Sequence, residues 1–275
     1  MLPVKKIYVD TRFMNLNSAS SSEFTIDLPQ SYTFPDNTVA YIDDVCIPVS
    51  WYTIQEGRNN RLYVRVNNIY NDVKVLTIPD GLYHIESLND AIVDELNKHF
   101  ETKPFSADPD FKTNKIKVSC SGPFIYEFLT DAELKALNRS PPFNSINNVL
   151  RNFSRQIFLA GTPFVSGYID LNPIRNLYLS SYNFGNFNTV SVSGDSGIIK
   201  KIPVNANYNE LLFNNVVLGS DYIDCSRQTI RQLSFRLHDV FGTPSNLLGN
   251  HLSFSVIFCE TIIKNKKCLE FIFAP

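Results

Sequence analysis

Apolar and polar residues alternate with a period of two through most of the chain, the spacing of strands with one buried face. Phe24, Ile26 and Leu28 share one face of a strand predicted to end at Pro29. Val39 and Tyr41, then Val45 and Ile47, continue in this style. Pro48 marks an edge or a bulge, because proline has no amide hydrogen to give a ladder. Leu62, Val64 and Val66 alternate with Arg61, Tyr63 and Arg65. Toward the C-terminus Leu233, Phe235 and Leu237 alternate with Ser234, Arg236 and His238. Leu252, Phe254, Val256 and Phe258 do so with Ser253, Ser255 and Ile257. Gly242, Pro244 and Gly249 make residues 239–250 a long connection between those two strands.

The middle of the chain changes period. After the Pro79-Asp80-Gly81 turn, Leu88, Ile92 and Leu96 form a helical stripe, with Ser87 as the predicted N-cap and Phe100 closing the helix. Two short strands are expected near Lys115–Ser119 and Phe124–Phe128. Thr130-Asp-Ala-Glu133 then has capping-box spacing and opens a short helix through Asn138, which Pro141-Pro142 prevents from continuing. Helices concentrated in one stretch between two β blocks predict an all-β domain from residues 1–59 plus 151–275. Residues 60–150 form an inserted small α/β subdomain. About eight strands outside the insert suit a single jelly roll of two antiparallel sheets. The Cys–Trp–Cys spacing of an immunoglobulin sandwich is missing.

Composition narrows the functional classes. With 44% hydrophobic residues and a net charge of −2, the chain has the makeup of a folded protein, not a disordered one. The near balance of 25 Lys+Arg and 27 Asp+Glu argues against direct, phosphate-neutralising contact with nucleic acid, sequence-specific or otherwise. Only 19% of residues are charged, while 21 Phe and 13 Tyr are abundant; charge depletion of this kind is a property of interface cores. The N-terminus has no apolar stretch behind its lysines, which predicts no signal peptide. The most apolar run, Leu252 to Ile263, is too short to span a bilayer. The expectation is a soluble protein made inside a cell, so the sequons at Asn138 and Asn152 would stay unmodified.

The search for reaction chemistry yields no catalytic residue, no cofactor cradle and no metal site. Cys46, Cys120, Cys225, Cys259 and Cys268 are scattered and form no CxxC, so they read as buried free thiols. Gly194-Asp-Ser196-Gly197 matches the tetrapeptide around the nucleophile of chymotrypsin-like proteases, but Ile198-Ile199 follow and neither His84 nor His99 has a suitable context. The segment reads as a tight turn. His238 and His251 fall on adjacent predicted strands, where hydrogen bonding is the expected role. Asp43-Asp44 and Asp221/Asp224 supply carboxylates without a partner the sequence can name, and Lys264-Asn-Lys-Lys267 reads as a solvated strand end. Trp51 is expected to anchor a core. Phe271-Ile-Phe273 near the C-terminus would either add an edge strand or dock into a neighbour.

Several of these strands carry a resemblance. Tyr8-Val-Asp-Thr-Arg-Phe13, Glu23-Phe-Thr-Ile-Asp-Leu-Pro29, Val39 through Ile54, Asn176-Leu-Tyr-Leu-Ser-Ser181, Ile198-Ile-Lys-Lys-Ile-Pro-Val204 and the run Leu233 to Phe258 stand in order along most of the chain. Together they resemble the minor capsid, or penton, proteins of Maverick/Polinton elements and the related adintoviruses, with virophage pentons as more distant relatives. The resemblance implies a single jelly roll assembled as a homopentamer at the fivefold vertices of an icosahedral virion. A separate double-jelly-roll major capsid protein would build the shell. It carries over no catalytic residue and no cofactor. The insert would be a decoration of the shell or a contact to neighbouring capsomers. A jelly-roll glycan-binding or fibre-type attachment module is the alternative, and an enzyme the third possibility.

Overall fold

The computed structural model describes residues 3–67, 73–100, 104–172, 174–184, 197–218 and 221–260. The chain begins with β1 (Pro3–Asp10), β2 (Glu23–Thr33) and β3 (Thr38–Pro48). Its middle holds β4 (Arg61–Val66), β5 (Val73–Thr77), α1 (Ile85–His99), β6 (Phe105–Asp110), β7 (Lys115–Cys120) and β8 (Tyr126–Phe128). There follow α2 (Asp131–Ala136), α3 (Asn147–Leu150), β9 (Ile157–Phe158) and β10 (Phe164–Val165). The last third holds β11 (Asn176–Ser181), β12 (Ile198–Pro203), β13 (Leu211–Asn214), β14 (Ile223–Asp224), β15 (Thr229–His238) and β16 (Ser253–Glu260). Two compact units result: Met1–Trp51 with Ile174–Pro275, and Tyr52–Pro173.

The first unit is a jelly roll. One sheet runs β1-β16-β3-β13, with β14 also on β3; the other runs β12-β11-β15-β2, and all pairings are antiparallel. Strands from opposite ends of the chain lie side by side in both sheets, the winding of a double Greek key. The core between the sheets takes Val9, Ile42 and Ile47 from the first sheet and Leu177, Leu233 and Leu237 from the second, with Trp51 buried beside them. Residues 239–250 form the predicted long connection, folded back by a hydrogen bond from Ser245 N to Leu237 O.

Two expectations for these strands change. β2 does not stop at Pro29. Among the described residues it is the last strand of its sheet, where a missing amide hydrogen is tolerated, and Pro29 lies in the interruption of the ladder between Asp27↔Gln232 and Tyr32↔Ile230. In β3 the buried residues are Ala40 and Ile42, not Val39 and Tyr41, followed by Val45 and Ile47. Asp43 and Cys46 are three positions apart on β3, while their partners Ser255 and Ser253 are only two positions apart on β16, and Asp44 takes a positive φ of 51°. This bulge puts one extra residue into β3 and reverses which face is buried.

The second unit packs α1 beside two small sheets, β10-β7-β6 and β5-β4-β8-β9. Leu88, Ile92 and Leu96 form the predicted buried stripe of α1, which starts three residues earlier than expected because Ile85 is also buried. Ser87 caps from inside the first turn: the His84 amide donates to its hydroxyl at 3.1 Å. The Thr130–Glu133 capping box forms as read, with Thr130 N donating to Glu133 at 2.9 Å and Glu133 N to Thr130 at 3.3 Å. Phe100, Phe105, Tyr126, Phe158, Phe128 and Phe164 form a continuous chain of ring contacts through the core. β4 departs from its alternating pattern because both faces are covered: Tyr63 packs with Leu129 and Leu134, and Arg65 is buried against Glu127.

Candidate interaction surface

The two sheets of the jelly roll have different outward faces. In the β12-β11-β15-β2 sheet the alternation is the ordinary one. Leu177, Leu179, Leu233 and Phe235 point into the core, and Thr25, Ser180, Ser234 and Arg236 line the other side. Those outward groups hydrogen-bond across strands, Thr25 Oγ1 with Ser234 Oγ at 3.3 Å and Ser180 Oγ to Arg236 O at 3.3 Å. On the same side Tyr178 stacks on His238, ring centroids 5.9 Å apart.

The other sheet carries apolar side chains on both sides. Phe254, Val256 and Phe258 of β16 join the core, yet Ile257 and Cys259, which alternate with them, are also buried and lie outside that cluster. Next to them on β3 are the half-buried Val39, Tyr41 and Cys46, placed outward by the Asp43–Asp44 bulge. On β13, Leu212 points inward, while Leu211 and Phe213 point out and are 60% and 51% exposed. On β1, Val9 points inward and Tyr8 out, 78% exposed. Tyr222 stands edge-on to Tyr41, ring centroids 5.3 Å apart at 78°. Among the described residues the same face also carries Asp43, Ser253 and Ser255, and an ion pair from Lys6 Nζ to Asp44 Oδ2 at 3.1 Å, with Lys6 5.1 Å from the Tyr8 ring. Burial raises the pKa of the Cys46 and Cys259 thiols and of the Tyr41 hydroxyl, which keeps them neutral near pH 7.

The residues singled out for chemistry are dispersed. Gly194, Asp195 and Ser196 of the protease-like tetrapeptide lie outside the described residues, as do Lys264–Lys267, Cys268 and Phe271–Phe273. Gly197 has a positive φ of 85°, and a Cβ there would meet Ser181 O at 3.1 Å. His99 Nδ1 is 2.9 Å from Glu95 O. His238 and His251 engage different partners, Asp239 O at 2.8 Å and Thr11 Oγ1 at 3.1 Å. Asp221 accepts from Leu218 N at 3.0 Å, and Asp224 from Ser226 N at 2.9 Å. Among the described residues no group of three or more His, Cys, Asp or Glu could hold a metal ion, and no helix is long and apolar enough to cross a membrane. Asn152 of one sequon is buried and donates to Phe128 O at 3.1 Å. Trp51 is buried in the core as expected.

Sequence reasoning missed several buried charged groups, Lys200 and Glu127 among them. Lys200 of β12 donates to the carbonyl oxygens of Ile42 and Val216 at 2.9 and 2.8 Å. Glu127 accepts from Arg65 Nε at 2.8 Å and Arg155 Nε at 2.6 Å, with Glu133 Oε1 3.6 Å from Arg155. In both cases the signal was a charge set inside an apolar alternation.

Profiles of known protein families and curated protein sequences give no match to the chain. Among solved structures, the crystal structure of the selenomethionine-labelled mavirus penton protein is similar in fold. The TM-score is 0.51 over 94% of this chain and 100% of that one, at 10% sequence identity.

Proposed function

We propose that the chain is a structural capsid protein, a penton or minor capsid protein that forms homopentamers at the fivefold vertices of an icosahedral virion. The shell around it would be built by a double-jelly-roll major capsid protein, with assembly inside the host cell. The proposed source is an element of the Maverick/Polinton and adintovirus kind. The observation that carries the reading is the set of exposed apolar side chains on the outward face of one jelly-roll sheet, Tyr8 of β1 and Leu211 and Phe213 of β13, on a chain poor in charge. A large apolar patch on a soluble protein marks a place where another molecule sits. The fold shared with a solved penton protein supports the same reading.

A ring needs no reaction chemistry. It needs contacts that repeat by rotation and close, and stable rings of this kind bury about 2,000 Å² or more per contact. The test is the mass in solution by light scattering, followed by mixing with a double-jelly-roll capsid protein. The expected value is five times the chain mass of 31.3 kDa. A protein that stays monomeric at all concentrations and never co-assembles overturns the proposal.

A further inference from the structure

We infer that neighbouring copies meet head to tail, the β1 edge of one jelly roll against the β13–β14 edge of the next. This inference rests on the homo-oligomer reading and names its contact. Three observations carry it.

The first is geometric. Among the described residues β1 pairs only with β16, and β13 and β14 pair only with β3, so they bound the two edges of one sheet. β13 and β14 lie in line along the same side of β3, opposite Val45–Pro48 and Val39–Ala40. Four strands set the edges roughly 14 Å apart across the sheet. They cannot satisfy one another within a chain, and an uncovered strand edge is a template for another chain.

The second is apolar exposure at both edges. Tyr8 on β1 and Phe13 just after it are 78% and 77% exposed, and Leu211 and Phe213 on β13 are 60% and 51% exposed. Different residues make the two patches, so their contact is heterologous, and a heterologous contact is the kind that closes a ring.

The third is charge. Residues 3–16 carry Lys5, Lys6 and Arg12 against the single acid Asp10; Arg12 pairs with Asp10 and Lys6 with Asp44 of β3, which leaves this edge with one positive charge in excess. Residues 202–226 carry Glu210, Asp221 and Asp224 and no lysine or arginine; of the flanking cations Lys200 is buried, Lys201 is exposed on β12 in the other sheet, and Arg227 is paired with Asp36. A basic edge and an acidic edge on the same sheet attract in the head-to-tail arrangement and repel in either like-to-like one. Complementarity of this sort selects orientation more than it adds affinity.

Charge reversal in the full chain tests the contact, with light scattering as the readout and circular dichroism melting as the check on folding. Lys5→Glu with Arg12→Glu, and separately Glu210→Lys with Asp224→Lys, are each expected to lower the mass toward that of one chain at protein concentrations where the unaltered chain is a ring. Combining all four substitutions is expected to restore the ring. Tyr8→Ser and Phe213→Ser, at exposed positions that leave the fold intact, are each expected to weaken assembly at least tenfold. Retention of the full mass in both reversed chains, or loss in both without rescue in the combination, overturns this contact and leaves the oligomer reading standing. A monomeric unaltered chain overturns the oligomer reading itself.

Discussion

The ammonium of Lys200, in one sheet of the jelly roll, donates to the carbonyl oxygen of Ile42 in the other sheet, 2.9 Å away. A second bond, 2.8 Å to Val216 O, ties the same group to the segment after β13. Burial lowers the Lys200 pKa, and the negative charges of Asp221 and Asp43 only partly oppose this. Between that lowered value and the ordinary 10.5, the unfolded chain binds more protons than the folded one, so stability rises with pH. Lys200→Met removes this contribution. Urea midpoints at pH 8, 9 and 10 are expected to show the unaltered chain gaining on the variant as pH rises. A constant or shrinking difference contradicts the assignment.

Glu127 tests the second unit. Burial pushes its carboxyl up, but hydrogen bonds from Arg65 and then Arg155 outweigh burial and hold it below the usual range. Its stabilisation is therefore complete above the ordinary value of 4.5 and lost as pH falls through the lower folded value. Glu127→Gln leaves two guanidinium groups short of a carboxylate and is expected to cost about 3 kcal/mol or more. Hydrogen exchange at the β4 and β8 amides reads the loss; unchanged protection would refute it.

Asp44 tests the bulge. Its φ of 51° is open to glycine without strain and closed to a β-branched residue. Asp44→Gly is expected to stay within about 0.5 kcal/mol of the unaltered chain, and Asp44→Val to lose about 1–2 kcal/mol, in denaturant titrations. Equal effects of the two would mean that backbone conformation does not govern this position.

Cys225 has its thiol pushed up to about 12, by burial first and the adjacent Asp224 second. At pH 8 the thiolate fraction is then on the order of 10⁻⁴. Iodoacetamide treatment of the native chain followed by peptide mapping is expected to leave Cys225 unmodified, with full labelling in urea. Rapid native labelling would refute the buried placement.

By itself, the sequence determined the elements whose signals are local. The Thr130–Glu133 capping box, the Leu88/Ile92/Leu96 stripe and the turn-rich connection 239–250 all form where the residues predict them, because each depends on neighbours a few positions away. Alternation also marked β15 and β16 and the all-β character of the jelly roll. Tertiary structure alone decided which face of β3 is buried. One extra residue at Asp43–Asp44 reverses the alternation, and the partner that accommodates it, β16, lies some two hundred positions along the chain. It also decided that Arg65 and Lys200 are buried, since a charge in an apolar strand signals exposure until its partners arrive from elsewhere. Above all, it divided the apolar run of β16 between two faces, with Phe254, Val256 and Phe258 in the core and Ile257 and Cys259 on the other side. Periodicity records which residues avoid water; only the assembled sheet separates those covered by the core from those on the outward face.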